Sequence, residues 1–127
     1  MENLQIQQTK HTPEIILDAS CGAISLRGKS YPENTFEFYE PVMQWMRDYF
    51  ASKPEKKTTV TMEIIYFNST SSKLFFDFFD ILEESSSDYQ IIVNWEYDPE
   101  NESAQEAGED FKEDFEDLTF NLVAKKA

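Results

Sequence analysis

Apolar residues recur along this chain with two periods, near 2 and near 3.6, and the switches between them mark its elements. Leu4–Gln7 alternates weakly. Glu14–Asp18 and Ala23–Arg27 are short apolar-rich runs separated by Ser20-Cys21-Gly22, which predicts a β-hairpin with Gly22 at a positive φ. Gly28–Asn34 reads as a turn-rich link. Phe38, Val42, Trp45, Met46, Tyr49 and Phe50 then fall at helical spacing across Phe36–Phe50. Pro41 inside that stretch implies either a kink or a helix that starts near Glu40.

Thr58–Tyr66 is the clearest strand, rich in β-branched residues, with Val60, Met62, Ile64 and Tyr66 expected on one face. Asn68–Ser72 reads as a polar loop. Lys73–Glu84 is a strong amphipathic helix with Leu74, Phe75, Phe78, Phe79 and Leu82 on its apolar face. Gln90–Tyr97 is a further strand, Ser103–Asp110 carries helical signal, and Leu118–Val123 is a short last strand. Strands followed by alternating helices and strands predict an α/β fold. The expected form is a single domain over residues 1–127, a mixed β-sheet with helices packed mainly on one face.

Composition narrows the function classes. The chain has 127 residues, one cysteine, and 25 Asp and Glu against 11 Lys and Arg, a net charge of -14. One Cys excludes an internal disulfide and a multi-Cys zinc site. The acidity argues against nucleic acid or an anionic membrane as a direct partner, since both need clustered cations. With no secretory pattern at the N-terminus and no long apolar run, the expected location is the cytoplasm. Residues 96–117 form a strongly acidic segment: eleven acids and the single base Lys112, a net -10. Phe111 and Phe115 within it favour a solvated helix with a sparse apolar stripe, or a partly ordered acidic arm.

Four successive hydroxyls, Ser69-Thr70-Ser71-Ser72, sit between the best strand and the best helix. One hydroxyl suffices for an N-cap, and four exceed that need. A phosphoryl group at a helix N-terminus meets the outward N–H groups and the positive end of the helix dipole, so this cluster is a candidate phosphorylation site. Ser30–Asn34 is explained mostly as a turn into a helix capped by Asn34 or Thr35, although Tyr31 is a large aromatic for a turn and a candidate interface residue. Asp98, Glu100, Glu102 and Glu109 occupy places 1, 3, 5 and 12 of a calcium-loop pattern, but Ser103 replaces the turn glycine and Pro99 intrudes. His11, the only histidine, and Cys21 offer weak material for a Cys–His pair. Neither catalysis nor a cofactor is expected. A metal-binding domain and a constitutive acidic scaffold stand as alternatives.

Three stretches in order, Gly28-Lys29-Ser30-Tyr31-Pro32-Glu33-Asn34, Tyr66-Phe67-Asn68-Ser69-Thr70-Ser71-Ser72-Lys73 and Trp95-Glu96-Tyr97-Asp98, resemble the SiaC family of bacterial regulatory phosphoproteins. The resemblance implies a STAS-like α/β sandwich that switches partners, as anti-sigma-factor antagonists do, without catalysis of its own. It implies phosphorylation by a dedicated Ser/Thr protein kinase on the hydroxyl after the motif Asn, reversed by a PP2C-type phosphatase. It further implies that the unphosphorylated form binds and activates a diguanylate cyclase, a link to cyclic-di-GMP and biofilm regulation. Register places the modification on Ser69, with Thr70 the alternative because the family commonly carries Thr. The partner-binding surface would comprise Asn68, Ser69, Thr70, Ser71 and Ser72, with Tyr31 and Glu33 if their turn lies nearby.

Overall fold

The computed structural model describes residues 1–125. Six strands, β1 (Leu4–Ile6), β2 (Glu14–Asp18), β3 (Ala23–Ser30), β4 (Thr58–Phe67), β5 (Ile91–Tyr97) and β6 (Thr119–Ala124), lie in one sheet in the order of the chain. The first three pair antiparallel and the rest parallel, so the sheet is mixed. Helices α1 (Thr35–Ala51), α2 (Ser69–Ser85) and α3 (Glu102–Asp114) make the three parallel crossovers. Right-handed crossovers that all step the same way along a sheet put every helix on the same face. The burial pattern agrees: Val60, Met62 and Ile64 of β4 are buried under the helices, whereas Thr59, Thr61 and Glu63 face the open side.

The hairpin between β2 and β3 turns on Gly22 at φ 66°, as expected. The hairpin ladder ends at Glu14 opposite Arg27, but β3 runs on in its pairing with β4, so Gly28–Ser30 extends β3 instead of forming the expected link. Helix α1 starts under the Asn34 cap, whose side chain accepts from the Glu37 N–H at 3.1 Å. Pro41 therefore does not mark a start near Glu40 and sits within a continuous helix. It is exposed, which leaves water free to meet the carbonyl its missing N–H cannot serve.

The core joins α1 and α2 to the sheet. Phe75, Phe78, Phe79 and Leu82 of α2 are wholly buried, as are Tyr39, Val42 and Met46 of α1. Each such side chain contributes on the order of 1.5–3 kcal/mol of transfer free energy. The acidic segment resolves as α3, held by the stripe Ala104, Gly108 and Phe111. Gly108 lies against the buried Trp95 ring, whose indole N–H donates to the Ala104 carbonyl at 2.9 Å. The open face of the sheet is polar. There the Arg27 guanidinium bridges Glu63 at 2.9 Å and Glu96 at 2.8 Å, and Lys125 reaches the second Glu63 oxygen at 2.6 Å.

Candidate functional site at the start of the second helix

β3 and β4 end side by side, with Ser30 opposite Phe67. The carboxyl ends of parallel strands are where open α/β sheets place their functional loops. The Asn68 N–H donates to the Ser30 carbonyl at 3.2 Å, and the Tyr31 N–H to the His11 carbonyl at 2.8 Å. Three separate segments, the ends of β3 and β4 and the stretch around His11, thus meet at the start of α2.

The expected polar loop is in fact the first turn of that helix. Asn68 is extended (φ -87°, ψ 175°) and its side-chain oxygen accepts from the Ser71 N–H at 2.9 Å. The Asn carboxamide completes the cap, so capping consumes none of the four hydroxyls. The helix begins at Ser69, four residues before Lys73, because a capping Asn lets Ser and Thr occupy the first helical positions.

The structure sorts those hydroxyls. Ser71 is fully buried, along with Ser30 and Tyr39. The Ser71 hydroxyl donates to the Ser30 carbonyl at 2.9 Å. Its oxygen lies 2.8 Å from the Ser30 hydroxyl, which is 2.6 Å from the Tyr39 hydroxyl. One proton per hydroxyl sets the direction of this relay: Tyr39 donates to Ser30, Ser30 to Ser71, and Ser71 to the carbonyl. Burial pushes the Tyr39 phenol well above its ordinary pKa, with the Ser30 contact pulling the other way, so it remains a neutral donor. Ser71 therefore has no free surface and acts by positioning. Ser69 and Thr70 are exposed, and Ser72 is half-buried, facing a groove between α2 and α3.

The pairing of β3 with β4 slips by one residue between Gly28 and Lys29: Gly28 faces Ile64 but Lys29 faces Tyr66. Ile65 is the extra residue of a β-bulge. The slip overturns the expected alternation, since Tyr66 leaves the core face and is 54 % exposed beside Ile65 at 51 %. The Tyr31 ring packs edge-on against Tyr66 at 5.6 Å and against His11 at 5.0 Å. The Tyr31 turn is therefore adjacent to the start of α2. Glu33 is exposed and borders a depression of about 430 Å³ shared with His11, Tyr31 and Phe38.

Periodicity misplaced Tyr66 because a bulge leaves no mark in one strand alone. Gly28, whose φ of 133° few other residues adopt, was the available signal. Phe76, 46 % exposed, had been detectable as the phenylalanine outside the apolar stripe of its helix.

The calcium pattern is used otherwise. Asp98 accepts from the Glu100 N–H at 2.9 Å in a turn, and Asn101 caps α3 by accepting from the Ala104 N–H at 3.1 Å. Among the described residues no three acids, His or Cys converge as metal ligands. Cys21 and His11 lie at opposite ends of the five-residue β2–β3 ladder and cannot pair.

A two-layer α/β domain that displays unused hydroxyls on the first turn of a capped helix has the layout of a regulatory binding module. The family model for SiaC family regulatory phosphoproteins matches residues 6–125, and the chain belongs to that family. A relative, an uncharacterized protein of Pseudomonas aeruginosa strain UCBPP-PA14, is 34% identical over 115 residues, 90% of each chain. The crystal structure of apo-SiaC from Pseudomonas aeruginosa superposes with a TM-score of 0.86 at 31% identity, covering 99% of this chain and 100% of that one. SiaC in complex with the diguanylate cyclase SiaD, which it activates, gives 0.89 at 32% identity over 96% and 99% of the two chains. Among the described residues no helix is long and apolar enough to cross a membrane.

Proposed function

We propose that this chain is a non-catalytic partner switch, located in the cytoplasm, that binds and activates a diguanylate cyclase while Ser69 and Thr70 are unphosphorylated. A Ser/Thr protein kinase transfers a phosphoryl group to Ser69, with Thr70 the alternative acceptor, and a PP2C-type phosphatase removes it. The observation that carries this reading is the sorting of the hydroxyl cluster: Asn68 caps, Ser71 is locked inside, and Ser69 and Thr70 are exposed and free of structural duty. The likeness to SiaC, whose complex with SiaD is known, supports the cyclase as partner.

A phosphoryl group at the first turn adds about -1.5 to -2 charge, which the helix N-terminus tolerates, so the fold persists while its surface changes. The partner surface comprises Tyr31, Glu33, Asn68, Ser69, Thr70 and Ser72, with Ser71 holding them in place. A desolvated charge without a partner at an interface costs several kcal/mol, enough for a loss of affinity beyond about a hundredfold. The test measures cyclase binding and activation by Ser69→Asp and Ser69→Ala, each also combined with Thr70→Ala. Loss in the Asp variants with retention in the Ala variants is expected. Equal behaviour of all four would sink the switch.

A further inference from the structure

Three depressions next to the switch form one continuous band. The first, about 490 Å³, lies at the ends of β4 and β5 and is bordered by Ile65, Asp98 and Glu100. The second, about 180 Å³, shares Ile64, Ile65 and Ala104 with it and runs on to Phe67. The third, about 450 Å³, starts at Phe67 and passes between α2 and α3 along Phe76, Asp110 and Asp114. The floor of the band is apolar, with Ile65 and Phe76 left about half exposed. Phe76 rests on the buried Phe115 ring at 4.9 Å, so its outer face is held in place and open.

The rim carries the charge. Asp98, Glu100, Asp110 and Asp114 are exposed along it, and Lys73 is the one exposed cation among its lining residues. Arg27 and Lys125, close by on the sheet, are already engaged by Glu63 and Glu96. An apolar trough with an acidic rim complements a segment that has apolar residues on one side and Lys or Arg on the other.

We infer that the Ile65–Phe76 band is the docking groove for a cationic amphipathic segment of the partner protein, seated beside Ser69 and Thr70. The inference rests on the partner-switch reading and specifies the chemistry of the partner. It also specifies how the switch works. The Lys and Arg of the segment face the acidic rim at Asp98, Glu100, Asp110 and Asp114, so a phosphoryl group at the first turn of α2 is desolvated without a cationic partner, and phosphorylation acts by that desolvation and by bulk. Added salt therefore weakens docking of the unmodified form but does not restore docking of the phosphorylated one.

The test titrates the isotope-labelled full chain with a synthetic Leu/Lys amphipathic peptide of about eighteen residues, five helical turns. A Ser/Lys peptide of equal charge serves as comparison. Saturable amide shifts confined to the band are expected, with the Ser/Lys peptide weaker by about tenfold or more. Ile65→Ser and the pair Asp110→Asn/Asp114→Asn are each expected to weaken binding by about tenfold, as loss of an interface anchor does. The charge-matched pair Asp48→Asn/Asp88→Asn, away from the band, should leave it unchanged. Shifts scattered over all acidic surfaces, or equal loss in both charge-matched pairs, would reduce the effect to net charge and overturn the groove. Unfolding midpoints of the variants exclude loss of fold as the cause. The same variants assayed with the cyclase separate the two readings. Binding that responds to Ser69→Asp but not to Ile65→Ser refutes the groove alone. Binding that responds to Ile65→Ser but not to Ser69→Asp refutes the switch alone.

Discussion

The buried relay from Tyr39 through Ser30 to Ser71 makes a prediction in which two deletions do less harm than one. Ser30→Ala removes the middle hydroxyl. Ser71 still donates to the Ser30 backbone carbonyl, but the Tyr39 phenol loses the acceptor 2.6 Å away. A buried donor left without an acceptor costs about 1–3 kcal/mol. Tyr39→Phe alone removes the terminal donor and leaves the other two hydroxyls satisfied, so it should cost only the net value of one hydrogen bond, about 0.5–1.5 kcal/mol. In the Ser30→Ala/Tyr39→Phe double variant no donor is orphaned and the Phe ring fills the same space. It should therefore be more stable than Ser30→Ala by about 1 kcal/mol, where simple addition predicts a further loss. Urea unfolding followed by the fluorescence of the buried Trp45 and Trp95 reads this as a shift in midpoint at unchanged slope. A double variant destabilised by the sum of the single changes would refute the direction assigned to the relay.

The same phenol predicts an alkaline limit. Its pKa is raised by burial, so above its ordinary value of 10.0 the folded state holds a proton that the unfolded state releases. Stability is thus complete below that pH and falls above it, and Tyr39→Phe should flatten the decline in unfolding midpoint between neutral and strongly alkaline pH. Asn68→Ala removes the cap of α2 and should cost about 1 kcal/mol, with faster amide exchange at the first turn than at the core of the helix. Gly108→Ala should destabilise despite gaining helix propensity. Its new methyl would stand 2.5 Å from Trp95 Cδ1 and 2.8 Å from Leu122 Cδ2, and overpacking of about 1–3 kcal/mol outweighs about 1 kcal/mol of propensity. The near-ultraviolet circular dichroism of Trp95 would register displacement of α3, and an unchanged or raised midpoint would contradict the argument.

The elements and the core were legible where information is local. Alternation placed Val60, Met62 and Ile64 inside, and helical spacing placed Phe75, Phe78, Phe79 and Leu82, because a side chain's direction follows from its position in a strand or helix. The hydroxyl cluster and its place between a strand and a helix were equally readable, as was the sparse stripe of α3. The start of α2 was misplaced by four residues, since Ser and Thr suit a loop and a first helical turn alike and only the Asn68 geometry decides between them.

What only the tertiary structure decided involves partners far apart in the chain. The one-residue slip between β3 and β4 turned Tyr66 outward beside Ile65, and a slip is a property of two strands. Ser30 and Ser71 meet across 41 positions, and that contact is what makes Ser71 scaffolding and leaves Ser69 and Thr70 at the surface. The sequence by itself determined which residues avoid water and where a modifiable cluster stands, because periodicity and residue type act within a few residues. Packing decided which hydroxyls face out and which apolar residues stay uncovered, because exposure depends on what the rest of the chain brings alongside.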